Sequence, residues 1–237
     1  MSILSTRGLS KTFGGLHAVS NVDFDLPTGE IRALIGPNGA GKSTFVGLVS
    51  GRIPATSGTV TFDGRDVTTL PAHKRIGLGM AYTFQITSVF GKLSCHENVA
   101  LAARRTLGRN KLAVAERVAE SLARVGLQAR VDDAAGDLSY GHQRLLEIAM
   151  GLAQDPRLLI LDEPTQGLAE SEVTAFKALI RSLAGEKTIL LIEHNMSVVM
   201  ETADKITVLN FGEVLAEGTP EDIRADRAVQ AAYLGGA

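Results

Sequence analysis

The stretch EIRALIGPNGAGKSTFVGLVSG, residues 30–51, constrains this chain more than any other. EIRALI is an apolar run of strand character and STFVGLVSG reads as a helix. Between them lies the pattern G-x-x-x-x-G-K-S, with Gly36, Gly41, Lys42 and Ser43 at its fixed positions. A strand that passes into a helix through such a loop is built to cradle phosphate. Gly36, Pro37, Asn38, Gly39, Ala40 and Gly41 form the turn, whose glycines let backbone N–H groups close around phosphate oxygens. Lys42 would reach the β- and γ-phosphates, and the Ser43 hydroxyl would ligate Mg²⁺. Thr44 follows in the first helical turn, where the helix dipole favours negative charge.

The rest of the chain supplies an α/β frame for that loop. Residues 3–68 carry short strand-like runs (ILSTRGL, VSNVDFDL, EIRALI, GTVTFDG) between glycine and proline breaks. Residues 86–155 change to helical periodicity; Val114, Val118, Leu122 and Val125 form one stripe, read as core packing. From residue 157 strands and helices alternate: RLLILDE, SEVTAFKALIRSLAG, TILLIEH, then a hairpin over KITVLNFGEVLAEG. This alternation predicts a parallel α/β core, with the middle helical block inserted into it. The predicted division of the 237 residues is one nucleotide-binding unit, with 1–85 and 157–237 as core and β subdomain and 86–156 as helical subdomain. Net charge is −2, so no basic excess points to nucleic acid. The single cysteine, Cys95, allows no internal disulfide, and no run approaches the roughly 18 apolar residues of a membrane span. MSILSTRGLSKTF lacks the apolar core of a secretory signal, so work at a membrane would require docking on another subunit.

A magnesium–nucleotide site also needs a carboxylate at the end of a neighbouring strand. LLILDEP provides Asp162 for the metal, through water, and Glu163 to orient or deprotonate the water that attacks the γ-phosphate. A second anion-binding helix start lies at LSYGHQRLLEI, residues 138–148. Leu145, Ile148, Ala149 and Leu152 recur at helical spacing, and Ser139 and Gly141 stand at its beginning. His17, His73 and His96 have no metal-like spacing and are read as surface or packing residues.

Taken together these stretches resemble the ATP-binding cassettes of ABC transporters, over nearly the whole chain. GPNGAGKST looks like the Walker A motif, LLILDEP like Walker B, and LSYGHQ like the signature sequence usually read LSGGQ. Gln85 in AYTFQ falls at the family's Q-loop, which senses the γ-phosphate and Mg²⁺. His194 in LLIEHN falls at the switch histidine, and Phe13 in KTFGG is placed like the aromatic that stacks on adenine. The resemblance implies a P-loop NTPase core of RecA-like type, with an N-terminal antiparallel β subdomain and an inserted helical subdomain. It implies ATP and Mg²⁺ as cofactors and a head-to-tail pair of cassettes, the same or different chains, in which Ser139 and Gly141 serve the partner's γ-phosphate. It further implies integral-membrane permease subunits, a periplasmic or surface solute-binding protein acting indirectly, no nucleic acid, and a peripheral position on the cytoplasmic face of the inner membrane.

The chain departs from the pattern at three places. Tyr140 replaces a glycine and His142 a glutamine of the signature, and Ala169 stands where the D-loop often carries Asp or Asn. Within the family, TRGLSKTFGGLHAVSNVDF, LAQDPRLLILDEP and residues 194–235 look most like cassettes for uptake of branched-chain amino acids and related solutes; urea, short amides and aromatic acids are compatible. Residues 86–102 would help line the groove for a permease helix, with Phe90 and Leu93 either its apolar contacts or internal core. The alternatives are a separate-subunit exporter cassette of lipopolysaccharide-export type and a soluble ABC ATPase. The soluble type usually carries two motif sets or a long coiled coil, and neither is present here.

Overall fold

The computed structural model describes residues 1–83 and 88–234. The chain opens with two long strands, β1 (Ser2–Phe13) and β2 (Leu16–Pro27), joined by the Gly14–Gly15 turn. Strand β3 (Ile31–Ile35) leads through the glycine loop into α1 (Lys42–Ser50). Then come β4 (Ser57–Phe62), β5 (Arg65–Asp66), the short helix α2 (Ala72–Gly77) and β6 (Met80–Thr83). Three helices follow, α3 (Cys95–Leu107), α4 (Lys111–Arg124) and α5 (Tyr140–Ala153). The chain re-enters a sheet as β7 (Leu158–Asp162), crosses over through α6 (Glu170–Ser182) to β8 (Thr188–Ile192), and continues through α7 (Met196–Thr202). Strands β9 (Lys205–Asn210) and β10 (Glu213–Gly218) form the expected hairpin, before helices α8 (Pro220–Ala225) and α9 (Arg227–Leu234).

Two sheets result. The smaller has the order β2-β1-β4-β5 and is antiparallel; the larger has the order β10-β9-β3-β8-β7-β6. Within the larger, β9, β3, β8, β7 and β6 run parallel, and β10 closes one edge antiparallel. Every residue of β3, β7 and β8 is buried, as continuous apolar runs predict for strands covered on both faces. Side chains alternate between two cores. Leu158, Ile160 and Leu190 join α1 and the smaller sheet, while Leu159, Leu161 and Leu191 join α3, α4, α5 and α6. Each such side chain contributes about 1.5–3 kcal/mol by leaving water. The one charge in β3, Arg32, is paired with Glu30 at 2.6 Å and Glu217 at 2.9 Å.

The helical stretch between β6 and β7 is held by caps as well as by its stripe. Val114, Val118, Leu122 and Val125 are all buried, as expected. Ser94 and Glu97 form a reciprocal capping box at the start of α3. Buried Asn98 accepts from the Phe90 N–H at 2.8 Å and donates to the carbonyls of Phe90, Leu93 and Ser94. It pins the loop ahead of α3, leaving Phe90 exposed and Leu93 half-buried. No described helix is long and apolar enough to cross a membrane.

Candidate nucleotide site

Parallel pairing brings three strand ends to one edge of the larger sheet. The glycine loop leaves β3, Asp162 and Glu163 end β7, and Glu193 and His194 follow β8. In an open parallel sheet this carboxyl edge is where ligands collect.

The loop itself tolerates little besides glycine at its two ends. Gly36 has φ +153°, and a Cβ there would lie 2.2 Å from the Leu209 carbonyl oxygen; Gly41 has φ +100°, and its Cβ would lie 2.4 Å from that of Ala18. Pro37, Gly39 and Ala40 complete the turn, and Asn38 and Ser43 are exposed. No side chain caps α1, so its first N–H groups remain available to an anion. Lys42 folds back on the loop and donates to the carbonyls of Gly36 (2.6 Å) and Pro37 (3.0 Å). Burial lowers its pKa, against the pull of the Glu163 and Asp162 carboxylates.

The acidic pair behaves as two different groups. Asp162 is buried and accepts a hydrogen bond of 2.5 Å from the Tyr82 hydroxyl. Burial raises its pKa and the Tyr82 hydroxyl opposes that; burial and Asp162 likewise raise the pKa of Tyr82. Glu163 lies in the left-handed region at φ +47°, sparsely occupied by side-chain-bearing residues, and its carboxylate is 3.6 Å from His194 Nδ1. Glu193, buried behind them, accepts from Thr165 N–H and Oγ1 and from the N–H groups of His194 and Asn195. Sequence reading missed Tyr82 and Glu193. The only signal for Glu193 is a carboxylate directly after an apolar strand, and for Tyr82 a hydroxyl-bearing side chain near the end of β6.

Ser139 caps α5, accepting from the His142 N–H, and its Oγ lies 3.0 Å from His142 Nδ1. A Cβ on Gly141 would fall 2.1 Å from the Glu172 carboxylate, which also accepts from the Ala169 N–H. The Tyr140 ring lies against Gly167. The departures at 140, 142 and 169 thus have partners within the chain. Phe13 is half exposed near the tip of the β1–β2 hairpin, with Lys11 Nζ 4.9 Å from its ring centre. Further along the hairpin, Ala18 abuts Gly41. Gln85 lies outside the described residues. His17 and His73 are exposed, and no group of three metal-binding side chains occurs among the described residues.

Similarity to known proteins spans the glycine loop, Ser139, Gly141, Asp162 and Glu163. Residues 19–166 match the family model described as ABC transporter, and residues 213–237 match that of the branched-chain amino acid ATP-binding cassette transporter. The chain is 41% identical to the high-affinity branched-chain amino acid transport ATP-binding protein BraF of Pseudomonas aeruginosa, covering 98% of each. It is 39% identical to its counterpart LivG of Escherichia coli, again covering 98% of each. This chain belongs to the ABC transporter family. Its fold superposes on a nucleotide-free ABC transporter cassette with TM-score 0.88 at 26% identity, covering 98% of this chain and 99% of that one. A dimeric cassette in a post-hydrolysis state, bound to ADP and Pi, matches with TM-score 0.82 at 25% identity, over 92% and 98% of the two chains.

In this ABC cassette the C-terminal segment that carries the second match returns to the glycine loop. A cleft of about 620 Å³ is lined by Gly36 to Ala40, His194, Asn210, Phe211 and the α9 residues Ala231, Ala232 and Tyr233. Burial raises the pKa of Tyr233, and the nearby Gly36 backbone opposes the shift. Ser139 and Gly141 do not line this cleft. The sequence reading placed residues 194–235 with the subfamily but gave α9 no position beside the glycine loop.

Proposed function

We propose that this chain is the ATP-hydrolysing subunit of an importer for branched-chain amino acids or related small solutes, working through separate permease subunits. The observation that carries the hydrolytic part is the convergence of Lys42, Glu163 and His194 on the carboxyl edge of β3, β7 and β8. The near full-length likeness to BraF and LivG, with the match at residues 213–237, supports the solute class.

In this reading the β- and γ-phosphates lie on residues 36–44, and Lys42 exchanges its two loop carbonyls for phosphate oxygens. Asp162, Ser43 and Gln85 would hold Mg²⁺, Asp162 through water. The two with described positions offer hard oxygen donors, and the raised pKa of Asp162 reflects a buried carboxylate suited to a cation. When bound, the metal would supply neutralisation of the charge that builds on the phosphate oxygens. Glu163 orients or deprotonates the attacking water, while His194, 3.6 Å from it, contacts the γ-phosphate. Phe13 stacks on adenine. Ser139 and Gly141 complete the site of a second cassette, so two chains close head to tail on two nucleotides and hydrolysis separates them. Residues 86–102 help line the groove that receives the permease, with Phe90 at the contact, and the cassette sits peripherally at the cytoplasmic face of the membrane.

Two experiments test this. Glu163→Gln is expected to bind ATP without turning it over and to elute as an ATP-dependent dimer; a monomer in ATP and Mg²⁺ removes the sandwich. Affinity purification from native membranes is expected to bring two permeases of an amino-acid uptake type. Recovery of lipopolysaccharide-export components instead reverses the direction of transport.

A further inference from the structure

Arg144 stands in the second turn of α5, and its side chain is completely buried. Its Nη2 donates to the carbonyl oxygens of Asp162 (2.8 Å) and Glu163 (2.9 Å), and its Nε to that of Pro164 (3.3 Å). Its Nη1 is paired with buried Glu147 at 2.8 Å. Withdrawing such a pair from water is costly, and two apolar side chains would pack a helix against a strand end at no such expense. Stability alone therefore does not explain the pair.

The backbone it grips does. Glu163 is held at φ +47°, a conformation that persists only where its surroundings enforce it. The Glu163 N–H donates to the Ile192 carbonyl at 2.9 Å, so β8 holds one side of this turn. Arg144 holds the other, through the Glu163 carbonyl and those flanking it. A planar fork with several donors suits this task; a single ammonium does not.

We propose that Arg144 is a positioning residue for hydrolysis. It fixes the turn that aims Asp162 and Glu163, and it makes that aim depend on where α5 lies. The same helix begins at Ser139. When Ser139 is drawn onto the partner's triphosphate, α5 carries Arg144 with it and resets the Glu163 backbone in its own site. Each site thereby reads the closure of the other through a buried guanidinium. This rests on the reading of Glu163 as the residue that activates water.

The test uses the full-length chain, with ATPase rates measured against MgATP concentration and a thermal melt of each variant. Arg144→Lys keeps the charge and loses the fork. Its kcat is expected to fall about 10- to 100-fold, the scale of a misplaced catalytic group. KM is expected to stay within about twofold, because Lys42 and the glycine loop, which carry most of the phosphate contacts, are untouched. Combined with Glu163→Gln, Arg144→Lys is still expected to dimerise with ATP. Wild-type kcat in an Arg144→Lys chain that melts normally overturns the proposal. If Arg144→Lys melts early, Glu147→Gln is used instead, with the same kcat-only loss expected in smaller measure and an unchanged kcat again overturning the idea. A Glu163→Gln chain that hydrolyses ATP normally removes the underlying reading; an inactive Glu163→Gln beside a fully active Arg144→Lys removes this inference alone.

Discussion

Lys42 and Asp162 shift toward their neutral forms for the same reason: burial opposes charge at the edge of the sheet. Without a nucleotide, each is a cost to the folded chain. The folded Asp162 has the higher pKa, so its contribution to stability is complete below the ordinary aspartate range and is lost as pH rises through the folded value. Asp162→Asn is therefore expected to melt at or above the wild-type temperature near neutral pH, and to lose part of the decline in stability from about pH 4 upward. It should also lose the extra stabilisation given by MgATP over ATP alone. Melts across pH with and without Mg²⁺ check both. Lys42→Ala is expected to abolish the nucleotide-dependent shift, which for an intact site is about 2.7 kcal/mol at a hundredfold excess over Kd. A wild-type thermal shift takes Lys42 out of the site. Both residues were legible in sequence because the chemistry fixes their spacing within short motifs. Tyr82, 80 residues from Asp162 along the chain, Arg144 and Tyr233 were not, because each reaches the site only through the fold.

Among the elements, those with a full hydrophobic period were the readable ones. The stripe of α4, the buried runs of β3, β7 and β8 and the β9–β10 hairpin lie where the pattern puts them. The four-residue strand β6, the six-residue helices α2 and α8, and helix α9 are too short to declare a period, and packing rather than propensity decides them. The loop ahead of α3 separates two effects that sequence leaves together. Asn98→Ala strips the hydrogen bonds that hold the Phe90 turn, and is expected to cost about 1–3 kcal/mol in a denaturant melt. Phe90→Ala, on an exposed ring, is expected to leave the melt unchanged and instead weaken recovery of the permeases. A large stability loss from Phe90→Ala would assign that ring to the core.

For the whole molecule, the proposed reading assigns the helix starts at Lys42 and Ser139 to different sites, and mixing variants tests this. Ser139→Ala and Lys42→Ala chains each lack two sound sites as homodimers. In a mixed pair, the loop of the first and the signature helix of the second form one intact site. Equimolar mixing is expected to restore about a quarter of wild-type ATPase, half the dimers each with one of two sites. No recovery on mixing would mean that Ser139 acts within its own chain. The spacing inside one chain has a separate origin. Strand β8 stands between β3 and β7, so two interstrand steps, about 10 Å, part the glycine loop from the Asp162–Glu163 turn. That interval is a repeat of the backbone ladder and owes nothing to side chains. The outer helices are free to be recut for new membrane partners while the reach needed to span a triphosphate tail stays constant.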